Sequence, residues 1–194
     1  MISSSEKIRR YGIGEMIYKI NDDYYVRALQ KSDLDGQYLE WFENQEVCKY
    51  NSHGKYPKTR EYFEEYYANL NGDGQCVWAI CHKKDGHIGN VSLQKISFIN
   101  RSAEFAVLIG DSKHWGKNVS YMTSMVLIKH GFEKLNIRKI FCSTAETNHG
   151  MIKLAERIGM QQEGCRKAHL YLEGRWVNVL EFGLFSEGFY QKCL

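Results

Sequence analysis

The stretch HWGKNVSYMTSMVLIKHGF, His114–Phe132, passes from a small polar turn into a long apolar segment, and its reading decides the rest. The apolar run predicts a helix from about 118 to 135, with Gly116, Asn118 and Ser120 at its head. A helix N-terminus leaves its first backbone N–H groups unpaired and carries partial positive charge, so small residues there let an anion approach. Packing and turn chemistry account for the same residues, because glycine ahead of a helix is common. No GKS or GKT follows, so the turn is not a P-loop.

Working outward, three strand candidates precede the turn: CVWAICHK at 76–83, HIGNVSLQKISF at 87–98 and SAEFAVLIG at 102–110. Short connections, Lys84 to Gly86 and Ile99 to Arg101, make an antiparallel meander the economical pairing. After the helix come strand KIFCSTA at 139–145, a helix from Asn148 to Ile158, strand QQEGCRKAHLYL, the turn EGR and a last strand WVNVLEFGLF. Towards the N-terminus, YYVRAL at 24–29 reads as a strand and Ser32 as the cap of a helix carrying Leu34, Tyr38, Trp41 and Phe42. A second helix after Pro57 has an apolar stripe of Tyr62, Phe63, Tyr66, Tyr67 and Leu70 and ends at NGDG, 71–74. Strands and helices interleaved in this way predict α+β layers around a mixed sheet.

The chain has 194 residues, 43% hydrophobic and 13% aromatic, enough to bury a core in one domain over 21–194 behind an N-terminal extension, 1–20. A net charge of +3 without long runs of like charge gives no case for a nucleic-acid partner. The N-terminus lacks the apolar core of a signal peptide and no 18-residue apolar run occurs, so no membrane partner and a cytoplasmic location are expected. Six cysteines form no CxxC pair and are read as free thiols. None of the seven histidines forms a pair at metal-ligand spacing, and no metal is expected. His114 adjoins the turn, where a cation would be electrostatically useful.

SAEFAVLIGDSKHWGKNVS, followed by a helix, a strand and NHGMIKLAERIGMQQEG, resembles the GNAT superfamily of acyl-CoA-dependent N-acyltransferases, in particular its branch of protein N-terminal (ribosomal-protein type) and amino-sugar acetyltransferases. The resemblance covers about residues 24–185 and rests on the order of the segments. In the turn, WGKNVS stands for the family's Gln/Arg-x-x-Gly-x-Gly/Ala, with Asn118 in place of a glycine and Ser120 in place of glycine or alanine. The resemblance implies a GNAT-like, mostly antiparallel seven-stranded sheet flanked by about four helices, and acetyl-CoA as cosubstrate. It places Leu108 and Ile109 near the pantetheine, Trp115, Gly116, Lys117, Asn118, Val119 and Ser120 around the pyrophosphate, and Asn148 on the cofactor as well as at the cap of its helix.

In such an enzyme the amine attacks the thioester directly, oriented in a ternary complex, with no covalent nucleophile. The amine must lose a proton, for which a carboxylate near the open sheet is useful. Glu104 is the candidate catalytic residue, standing where strand alternation would supply a hydrophobe beside Ala106 and Leu108. A cross-strand ion pair with a lysine is the structural alternative. Many relatives protonate the thiolate with a tyrosine at the place of Ala155, which leaves water or a hydroxyl such as Ser143 for that role.

The segment WFENQEVCKYNSHGKYPK, 41–58, and the hairpin around Glu173–Trp176 would border the acceptor, with Trp41 and Tyr50 as substrate-binding residues. They suit an amino sugar, a nucleotide-linked one included, or a peptide N-terminus. The chain thus reads as an N-acetyltransferase of a primary amine, a small molecule or a peptide, in an assembly that admits a homodimer. A catalytically weak CoA-binding sensor or interaction module and an unrelated α+β binding domain are the competing readings.

Overall fold

A computed structural model describes residues 9–11, 15–51, 53–71 and 74–192. Residues 1–8 and 12–14 of the expected extension, part of the NGDG turn and the Cys193 thiol therefore lie outside the described residues. Among the described residues, nine strands form one sheet: β1 (Arg9–Tyr11), β2 (Glu15–Lys19), β3 (Tyr24–Ala28), β4 (Cys76–His82), β5 (Gly86–Ser97), β6 (Ser102–Ile109), β7 (Lys139–Ala145), β8 (Gln161–Leu172) and β9 (Arg175–Phe185). Their spatial order is β1-β2-β3-β4-β5-β6-β7-β9-β8. Among the same described residues, five α-helices accompany them: α1 (Tyr38–Glu43), α2 (Arg60–Ala68), α3 (Val119–Glu133), α4 (His149–Ile158) and α5 (Ser186–Lys192).

The α+β layering expected from the sequence is present, with two more strands and one more helix than the resemblance implied. The extra strands come from the segment expected to be an extension: β2 pairs with β3, Tyr18 stacks on Trp78 at 4.9 Å, and its hydroxyl lies 2.9 Å from Nδ1 of His130. Near Ser32 the chain forms a 3-10 turn, Lys31–Asp35, and the α-helix starts only at Tyr38. Arg27 grips Asp33 there through two hydrogen bonds of 2.7 and 2.6 Å, which fixes the turn against β3.

β4 shows why a nearly continuous apolar run belongs in the middle of this sheet. Trp78 and Ile80 point to one face and Ala79 and Cys81 to the other, and all four are buried. On the first face Leu93, Phe105, Ile140 and Phe182 pack with Leu127 and Ile128 of α3 and Ile158 of α4. On the second, Ala79 and Cys81 pack with Leu34, Tyr38 and Trp41 and with Phe63 of α2. No helix among the described residues is long and apolar enough to cross a membrane.

The strand that positions the site is β6. It pairs antiparallel with β5 as far as Ile109, opposite Gly89. Its parallel pairing with β7 covers only Ser102–Glu104 against Lys139–Phe141, although β7 continues to Ala145 along β9. Beyond Glu104 and Phe141 the sheet is open.

Candidate active site

Each wall of this opening has one satisfied edge, towards β5 or β9, and one edge without a strand partner. Strand geometry aims alternate N–H and C=O groups of 105–109 and 142–145 into the gap, where a ligand with amides of its own can complete the ladder. The Ile109 carbonyl is already taken, since the Trp115 indole donates to it at 2.8 Å. Leu108 faces the α1 and α2 side and Ile109 the α3 side, so the two expected pantetheine neighbours flank the strand from opposite faces. At the strand's end Gly110 is required: a Cβ there would stand 1.9 Å from the Trp41 ring.

Past Gly110, Asp111 caps a 3-10 turn, Ser112–His114, by accepting from the Lys113 N–H at 3.0 Å. Gly116 and Asn118 then adopt left-handed backbone, with φ of 73° and 65°, on either side of exposed Lys117. The side chain of Asn118 makes no cap on α3. It accepts instead from the Arg157 guanidinium of α4, which also lies over the Tyr121 ring at 3.9 Å. The first N–H groups of α3 thus keep their helix-terminal positive end without a carboxylate or hydroxyl cap, and Lys117 and Arg157 add positive charge around it. Val119 is buried and anchors the helix start, while the Ser120 carbonyl accepts from the Thr123 and Ser124 hydroxyls. Open backbone, left-handed turn and cationic surroundings fit a pyrophosphate.

Asn148 caps α4, accepting from the Met151 N–H at 3.2 Å and donating to the Thr144 hydroxyl at 3.0 Å. Ala155 is fully buried on the inner side of α4, and Ser143 is exposed on β7. Glu104 lies on the same face as Ala106 and Leu108, its side chain 23% exposed, with Oε2 2.7 Å from the Nζ of Lys95. The cross-strand lysine is therefore present. Its own side chain is 75% exposed, which makes the pair weak.

Beside Glu104 opens a cleft of about 150 Å³. Tyr38, Phe42, Tyr62, Phe63 and Tyr66 form one wall, and Asn90, Ser92, Gln94, Ala106 and Leu108 the other. Gln94 sits directly across the strand from Glu104. Burial pushes the phenols of Tyr38 and Tyr66 above their ordinary value, so this lining is neutral as well as aromatic.

The two expected substrate residues part company. Trp41 is only 4% exposed, packed edge-on to the Tyr38 and His87 rings and over Gly110, and offers no open face on which a sugar could stack. Tyr50 is half-buried and donates to the Thr147 carbonyl at 3.0 Å, next to Asn148. Its loop is held across to the β8–β9 hairpin by Lys49 with Glu173 at 3.1 Å and by Lys55, which donates to the Tyr171 carbonyl at 3.4 Å. The sequence reading missed Arg157, which lies 39 positions from Asn118 with no local spacing to mark it.

Comparison with known proteins adds four findings. The family model described as an acetyltransferase (GNAT) domain matches residues 24–161. The spermidine N(1)-acetyltransferase of Vibrio cholerae serotype O1 is 26% identical over 161 residues, covering 82% of this chain and 91% of that protein. An N-acetyltransferase of Bacillus licheniformis called p20 is 29% identical over 118 residues, 61% of this chain and 66% of its own. Among solved structures, the Vibrio cholerae spermidine N-acetyltransferase in complex with CoA and spermine superposes with a TM-score of 0.79 at 24% identity, covering 88% of this chain and 99% of that one.

Proposed function

Since the chain belongs to the GNAT acetyltransferase family and is an acetyl-CoA-dependent N-acetyltransferase, we propose that its acceptor is a primary amine of an aliphatic polyamine of the spermidine type. The observation that carries this reading is the neutral, aromatic and amide-lined cleft beside the open edge of β6, with Glu104 at its margin. A slender cationic chain suits such a lining, because ring faces attract ammonium groups without the desolvation cost of burying a carboxylate. The spermidine acetyltransferases among the relatives favour a polyamine over an amino sugar or a protein N-terminus, and the buried Trp41 removes one of the two aromatic platforms on which a sugar would have stacked.

Bound acetyl-CoA supplies the acetyl group as an activated thioester. In this reading the open backbone of β6 holds its pantetheine arm and polarises the thioester carbonyl through N–H groups. The turn from Trp115 to Ser120 receives the pyrophosphate, and Asn148 orients the start of α4 beside it. Glu104 takes the proton from the incoming ammonium, directly or through water, once its weak pair with Lys95 yields.

Steady-state CoA release with spermidine, spermine, a short diamine, an amino sugar and a peptide tests the acceptor. The expected result is a kcat/KM for spermidine or spermine at least about tenfold above the sugar and the peptide, a difference of about 1.4 kcal/mol. Equal or better turnover of the sugar or the peptide would overturn the polyamine reading.

A further inference from the structure

Outside the acetyl-transfer site, the end of the β4–β5 hairpin meets the 3-10 turn that precedes Trp115. We propose that His82, Asp85 and His114 at this junction form a binding site for zinc(II). Their ligand atoms lie within 4.8 Å of one another, the one such group of three among the described residues. His82 and Asp85 stand three positions apart on the hairpin, but His114 lies 29 positions beyond Asp85, which is why no histidine pair at ligand spacing marked the site.

The local geometry is that of a donor set short of a centre. Nδ1 of His82 is buried and faces Oδ2 of Asp85 at only 2.5 Å. The same oxygen faces Nε2 of His114 at 3.2 Å, and Oδ2 of Asp111 lies 3.9 Å from that nitrogen. Tetrahedral zinc places its ligand atoms about 3.4 Å apart, given metal–ligand distances near 2.1 Å. The His114–Asp85 separation already meets this, and Asp85, 42% exposed on a hairpin tip, can withdraw from His82 by the remainder. Asp111 or water completes the shell.

The surroundings support metal binding further. His114 is almost wholly buried, and its other nitrogen, Nδ1, is held 2.9 Å from the Tyr24 hydroxyl, the kind of outer contact that orients a ligating imidazole. Two imidazoles with carboxylate favour zinc over magnesium or calcium, which prefer all-oxygen shells. A bound ion ties the hairpin to the turn whose next residue, Trp115, begins the anion loop.

The test uses the tag-free chain, stripped with a chelator and titrated with zinc chloride by calorimetry. One site per chain is expected, with a rise in melting temperature and, for cobalt(II), the visible ligand-field bands of a tetrahedral site. His82→Asn and Asp85→Asn should each weaken binding at least about tenfold, and Tyr24→Phe by roughly 10- to 100-fold through loss of the outer contact. His82 and Asp85 are partly exposed, so these variants decide the matter even if His114→Gln fails to fold. No zinc binding by the stripped wild type, or equal binding by the His82→Asn/Asp85→Asn double variant, would overturn the proposal. None of these readouts involves acetyl transfer, so the outcome is independent of the acceptor.

Discussion

Glu104 and Asn118 show at the residue scale what a side chain's neighbours add to its identity. Glu104→Gln should lower turnover by about 10² to 10⁴ while leaving acetyl-CoA affinity within about twofold, with the loss shrinking at higher pH where the amine is already neutral. An unchanged rate at neutral pH would restrict Glu104 to its ion pair with Lys95. Asn118, with φ of 65°, occupies backbone that glycine adopts freely, asparagine tolerates and a β-branched residue resists. Asn118→Gly should therefore keep CoA affinity, whereas Asn118→Val should weaken it by about 1 to 3 kcal/mol through strain. Calorimetric titration of both variants with CoA checks this, and equal affinities would remove the turn from the phosphate site. Positive φ at this position was legible because few residue types share it. Its grip by Arg157 was not, because that contact exists only once α4 has packed beside α3.

At the scale of elements, turn residues and alternation carried most of the boundaries. KIFCSTA and QQEGCRKAHLYL coincide with β7 and β8, since the residues around them, Asn148 at one helix start and Gly159 in left-handed backbone at its end, punctuate the chain clearly. β1 and β2 escaped notice because β1 is held by pairing with β2, and β2 by pairing with β3 and by Tyr18 packing on Trp78, a contact far away in sequence. The same holds for α1: helical spacing announced Trp41, but only the approach of Gly110 turned it inward. Trp41→Ala should accordingly behave as a core truncation and cost about 3 to 5 kcal/mol of stability, read from urea unfolding. A near-neutral effect on unfolding joined to a lost acceptor affinity would restore Trp41 to the substrate wall.

Across the whole molecule, the sheet ties the site to parts of the chain far from it. His130 on α3 is partly buried beside Tyr18 and Trp78, and burial first, then nearby Lys134, holds its imidazole below the ordinary value. The unfolded chain therefore takes up this proton more readily than the folded one. The stability contributed by neutral His130 is complete above about pH 6.5 and is lost as pH falls below it. The urea midpoint should drop from about pH 7.5 to about pH 5.5, and His130→Gln should reduce that drop. An identical pH dependence in the variant would remove His130 from the explanation.

The central claim concerns the opening between β6 and β7, where the sheet stops pairing after Glu104 and Phe141. Amide hydrogen exchange with and without acetyl-CoA addresses it most directly, because the backbone itself is the proposed ligand. Protection should concentrate in 105–109 of β6 and in the turn and first helical residues from 116 to 121. Protection confined to other segments, with these two unchanged at saturating acetyl-CoA, would contradict the assignment of this opening as the cosubstrate site.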